Sequence, residues 1–236
     1  MHSDHETLSY NEEIVKKLLN ESDPDVAFLA RIKMMQGHLN AAVYAVSQGD
    51  LAEAKQHVIH PVSEILPDIV RVLKERNLAD PTPKLKVGMD LLQNGTNDEI
   101  EAALYDSLVE IETLEFSIAH SKMEFNRIGA DASVLLLRTA VMEYAEAFKN
   151  GEIVNVVEYH DGSAFVAEAA TVILDAKYEW SKQDPAAFME LELSLKELQT
   201  AWPSEIPPAN SVIPLTRMLE LVSNIDLQIK KIRSGT

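Results

Sequence analysis

The chain has no cysteine. Disulfide staples, thiolate metal sites and cysteine nucleophiles are therefore excluded. Glycine is scarce, with eight residues in 236, and apolar–polar alternation never runs long enough for a strand-rich fold. Basic residues are few as well. Against 38 acidic residues stand only 21 Lys and Arg, a formal charge of -17. That balance excludes nucleic acid as a natural partner, because phosphate binding needs clustered cations. It also disfavours an anionic membrane surface, and it suits metal ions, small cationic ligands or plain solubility. No apolar run is long enough for a transmembrane helix. The opening Met1-His2-Ser3-Asp4-His5-Glu6 has neither the basic nor the apolar region of a signal peptide. An exported, mature form begun at a new Met is favoured over a cytoplasmic protein.

What is present is helical periodicity. Apolar residues recur every three or four positions over long spans, for example Ile32, Met35, Leu39, Val43 and Val46, so the expected fold class is all-α. Asp23-Pro24-Asp25 reads as a helix start. Gly49 and then Asp50 read as a stop and a cap. Pro61 lacks a backbone N–H and should free the carbonyl of His57, bending its helix. Thr96-Asn97-Asp98 caps a long helix expected to reach Arg127, and Ile128-Gly129-Ala130 reads as the plainest break. Further helices are expected over 131–150, 153–181 (with Gly162 as a point of interruption), 184–202 and 214–233.

The organisation that follows is an N-terminal extension, residues 1–22, and two antiparallel helical bundles, residues 23–128 and 129–236. A shift of 102 aligns Ala30 with Ala132, Ala45 with Ala147 and Gly49 with Gly151. Duplication of one helical unit is the expectation this raises.

Side chains able to hold a metal crowd in one place. His57 and His60 are three apart, and Glu64 lies two turns beyond His57, so all three share a helix face. His38 stands on the preceding helix at a similar distance from the Gly49 turn. Imidazole with carboxylate suits Zn, Fe, Mn or Cu, and an imidazole can also ligate haem. The alternatives are a structural hydrogen-bonded network and acid–base catalysis.

The second half carries Glu143-Tyr144 and then Glu158-Tyr159-His160-Asp161-Gly162-Ser163. Glu143, Glu158, Tyr159, His160 and Asp161 are a candidate second shell or second site, since acidic residues three apart repel unless a cation or donor joins them. Ser163 is no nucleophile, because no elbow motif precedes it. His120 and Glu124 also have a metal-pair spacing, and His2 and His5 can bind metal adventitiously. No His-Glu-x-x-His motif is present.

The pattern Gly37-His38-Leu39, His57-x-x-His60-Pro61-x-x-Glu64, Glu143-Tyr144 and Glu158-Tyr159-x-Asp161-x-x-x-Phe165 resembles a group of little-characterised bacterial all-helical proteins. More remotely, two bundles carrying His and Glu are similar to imelysin-like proteins, which are exported and linked to iron or haem uptake. The resemblance implies a metal ion, or a metal-containing cofactor, at His38, His57, His60 and Glu64. The function expected is binding rather than catalysis, with a metal ion or small ligand as partner. The alternative is a helical scaffold for a protein or peptide partner, in which the histidines are structural.

Overall fold

Helix starts follow the capping chemistry written in the chain. Asp23, Asp50, Thr96, Asn155 and Asp184 each turn a side-chain oxygen toward backbone N–H groups that no helical carbonyl can reach. Around these starts the computed structural model, which describes residues 14–234, is all-α: 80 % helical, with almost no sheet. Residues 14–21 are helical. The labelled helices that follow are α1 (Pro24–Ser47), α2 (Leu51–His60), α3 (Leu66–Glu75), α4 (Thr82–Asn94), α5 (Asn97–Glu115), α6 (Lys122–Ala147), α7 (Val156–Asp175), α8 (Lys177–Gln183), α9 (Pro185–Gln199) and α10 (Leu215–Ser234). His2 and His5 lie outside the described residues.

The chain divides into two compact units: Phe28–Phe125, and Asn126 onward together with the described residues up to Ala27. In the first, α1 is followed by a turn at Gly49, whose φ of +78° suits a residue without Cβ. The chain returns antiparallel as α2 and α3. Arg31 meets Asp68 at 3.3 Å, and the Arg76 guanidinium covers the Phe28 ring. Helix α5 also runs antiparallel to α1. At one end Asn97 donates to the Val46 carbonyl, and at the other Lys33 pairs with Glu115 at 2.8 Å. Lys84 on α4 reaches Glu110 on α5. The result is an up-down-up-down arrangement around Leu29, Ile32, Met35, Leu39, Val58, Ile69, Leu73, Leu85, Ile100, Leu104 and Ile111, all buried.

Between α2 and α3 the chain makes a π-helical turn, Pro61–Ile65. At the bend expected at Pro61, proline has no N–H to give the His57 carbonyl, and the Leu66 N–H bonds the Pro61 carbonyl five residues back, closing a π turn.

The second unit is built the same way from α6, α7, α9 and α10. Ser133 on α6 reaches the Ala169 carbonyl of α7, while Arg138 and Arg233 tie α6 to α10 through Asp226 and Asp131. These pairings make α6 antiparallel to both. Asn224 to Ser194 and Arg217 to Glu197 do the same for α9 and α10. Phe188, Leu191, Leu195 and Leu198 of α9 and Met218, Leu221, Val222 and Ile225 of α10 are buried, and each such side chain stabilises by roughly 1.5–3 kcal/mol.

Three expected boundaries move. Helix α6 runs straight through Ile128-Gly129-Ala130, with these three residues buried. The break lies at residues 116–121 instead, where Ser121 accepts from the Glu124 N–H and Glu124 accepts from the His120 N–H. The Ser-x-x-Glu cap explains the His120/Glu124 spacing without a metal. Helix α6 also stops at Ala147 rather than Asn150, because Asn150 (φ 55°) and Gly151 (φ 85°) turn the chain into a two-residue ribbon that pairs Phe148 with Ile153. Finally, Gly162 does not interrupt α7; the break comes at Ala176.

Candidate functional site

The histidines of Phe28–Phe125 converge. His38 on α1 is buried, His57 on α2 is fully buried, and the His38 and His60 rings pack edge to face with centroids 5.2 Å apart. Ring nitrogens of His38 and His57 lie within 4.8 Å of each other. An ion bound at 2.0–2.1 Å by two nitrogens holds them roughly 3.3–4.2 Å apart, so a small side-chain adjustment lets these two share one.

The carboxylate beside them is Glu53. Its Oε1 lies 3.3 Å from His57 Nε2, one helical turn back on α2. Glu64, placed by spacing on the face of His57, is exposed. The stripe drawn through it assumed α-helical winding, and the π turn winds fewer degrees per residue, so residue 64 rotates away. Glu53 was open to the sequence as the residue four before His57, a spacing that brings side chains together on a helix.

The second set lies within Asn126–Thr236. Glu158 and Asp161, three apart on α7, have carboxylate oxygens within 4.8 Å of each other. Asp161 is fully buried, whereas Glu158 is half-buried and accepts from the Asn155 side chain. His160 Nε2 lies 2.7 Å from the Glu205 carbonyl. A carbonyl only accepts, so that nitrogen carries the proton. Tyr159 is fully buried and donates to the Ser204 carbonyl at 2.6 Å. Glu143 is half-buried on α6, where its Cβ lines the close approach at Gly162.

An aromatic group fastens this set to the loop between α9 and α10. Trp202 Nε1 donates to the Tyr159 carbonyl at 3.0 Å, and the Trp202 ring stacks edge-on against Tyr144. The Tyr144 hydroxyl accepts from the Val212 N–H at 2.8 Å. Burial pushes the phenols of both Tyr144 and Tyr159 up from their ordinary range. Gly162 is required here. A Cβ at that position would stand 2.9 Å from the Trp202 ring and 3.1 Å from the Ala140 carbonyl. These partners lie more than 40 residues from Tyr159 in the chain, so no local spacing could have revealed them.

An antiparallel set of four long helices beginning at α6 is thus established. Residues 123–235 match the model of the iron permease-associated 4-helix bundle domain. The match covers just under half of the chain and takes in α7, α9, α10 and nearly all of α6. It ties this stretch to a helical family linked to iron transport. Glu143, Glu158, Tyr159, His160 and Asp161 fall inside the matched residues, while His38, His57, His60 and Glu53 precede them. No curated protein and no solved structure matches the chain. No helix among the described residues is long and apolar enough to cross a membrane.

Proposed function

We propose that this chain is a helical-bundle metal-binding protein of iron handling, taking a transition-metal ion at His38, His57 and His60. The observation that carries the reading is the convergence of three imidazoles and one carboxylate within a single set of helices. The donor chemistry fits, since imidazole nitrogens bind iron, zinc and copper well. The domain match to residues 123–235 supports iron among these ions. Glu158 and Asp161 are the oxygen donors of a second, weaker site. The protein serves as carrier, with the ion as its cargo.

Elemental analysis of protein lacking residues 1–6 tests this, because the trim removes His2 and His5. About one equivalent of a transition metal is expected, and it should be lost in the His57→Ala/His60→Ala double variant while helicity by circular dichroism persists. Absence of metal, together with no thermal shift on adding Fe, Zn or Mn, would overturn the reading.

One observation favours a second reading, a scaffold for a protein partner with structural histidines. His38 and His60 already pack on each other, and His57 already has Glu53. On that reading the double variant melts lower and metal never raises the melting temperature.

A further inference from the structure

Helix α5 is 19 residues long and carries no Lys or Arg. Ile100, Leu104 and Ile111 turn one of its faces into the core. The opposite face of such a helix is expected to be polar. Instead Tyr105, Val109 and Phe116 stand there, exposed by 53 %, 58 % and 81 %. Phe116, in the cap position, keeps helical angles. At 100° per residue the three side chains start within about 40° of one another, along a line of roughly 16 Å. Single exposed apolar residues are ordinary, whereas an aligned set with an aromatic at each end marks a contact surface.

Acidic residues border this line on both sides, Glu101 and Glu112 on one and Asp106 on the other. Two other carboxylates of α5 are matched, Glu110 by Lys84 and Glu115 by Lys33. Glu101, Asp106 and Glu112 have no such match among the described residues. That border selects the occupant. A second copy of the face would set acid against acid, because a two-fold contact pairs a patch with itself. Residues 1–13 bring no Lys or Arg. Nucleic acid and anionic lipid are repelled.

We propose that the outer face of α5 docks an amphipathic helix of a partner protein, one with an apolar stripe flanked by Lys or Arg. The stripe buries Tyr105 and Phe116 as anchors. The flanking cations meet Glu101, Asp106 and Glu112, which speed encounter and fix register. This surface is separate from the histidines and stands whether or not metal binds there.

The test uses two dye-labelled synthetic helices, titrated by fluorescence anisotropy with the full chain. Both have a Leu stripe; one is flanked by Lys and the other by Glu. The Lys helix should bind, more weakly as salt rises, and the Glu helix should not. Affinity for the Lys helix should fall at least about 10-fold in the Tyr105→Ser/Phe116→Ser double variant. A Met189→Ser/Leu193→Ser control, on the exposed face of α9, should leave it unchanged. Glu112→Lys should weaken binding more than Glu190→Lys, which makes the same charge change on α9. All four variants alter exposed positions, so their melting temperatures should match the native chain.

No binding of the Lys helix at low salt would overturn the proposal. Equal binding of the Glu helix would overturn its charge logic, and equal losses from the α9 variants would overturn its location. A native dimer in sedimentation that Phe116→Ser dissolves would give the face to a second copy and overturn the partner.

Discussion

His57 and Tyr159 lie 102 residues apart, and each ring is fully buried within a helix of its own unit. Each needs a partner for its polar end, since an unsatisfied buried group costs about 1–3 kcal/mol. The two find that partner differently. His57 uses Glu53, one turn back on the same helix. Tyr159 reaches 45 residues forward to the Ser204 carbonyl, and Trp202 returns a bond to the Tyr159 carbonyl. A partner on the same helix sets the ring's orientation from within that helix. A partner on a distant loop makes the ring a fastener. The first arrangement suits a binding site and the second suits a scaffold, although both begin as a polar aromatic on an apolar helix face.

Substitutions that separate these two roles should differ in size. The largest effect is expected for Tyr159→Ala, which loses the ring and the loop contact together. By analogy with large aromatic truncations it should cost about 3–5 kcal/mol in urea unfolding. Tyr159→Phe should cost only about 1–2 kcal/mol, for the lost hydroxyl. A Tyr159→Ala cost below that of Tyr159→Phe would end the distinction. Next comes Gly162→Ala. Its methyl would meet the Trp202 ring and the Ala140 carbonyl, so a loss of about 1–3 kcal/mol is expected, with a shift in Trp202 fluorescence as the local readout.

Thr96→Ala probes a purely local partnership, the reciprocal cap of Thr96 and Glu99. It should cost about 1 kcal/mol, measured as a lower urea midpoint with unchanged slope. The smallest effect is one of pH. Hydrogen bonds from Thr96 hold the Glu99 carboxyl below its ordinary value. A carboxyl depressed in the folded state stabilises above its unfolded value and loses that contribution as pH falls through the folded one. The stability gap between native protein and Glu99→Gln should therefore be present at pH 6 and close as the solution is taken below about pH 4. A gap that widens on acidification would contradict the cap.

The same contrast between local and distant partners explains what could be read from the chain. Helix class, the caps at Asp23, Asp50 and Thr96, and the disturbance at Pro61 were legible, because each depends on residues within one turn. The Gly49 turn put His38 and His57 at similar levels of a hairpin, but their ring nitrogens coming within 4.8 Å of each other was for the structure to show. Glu64 was misplaced because a π turn changes the winding that spacing arguments assume. Ile128-Gly129-Ala130 looked like a break, but a glycine is tolerated inside a helix whose neighbours bury it, as Ile128 and Ala130 are buried here. The Ser121-x-x-Glu124 signal marks the true start, whereas spacing took Glu124 only as a metal-pair partner of His120. Trp202 and the Ser204 carbonyl were out of reach, because tertiary folding alone brings them to Tyr159.

The π turn of Pro61–Ile65 also has a meaning for insertions and deletions. Such a turn contains one residue more than an α-helix needs for the same advance. Removing one residue elsewhere in α2 or α3 would rotate everything beyond it by about 100° and carry apolar side chains off the core. Removing one within residues 61–65 would instead restore plain α-helical winding and leave both flanking helices in register. This is the point in the first unit where the chain can change length by one without refolding its core.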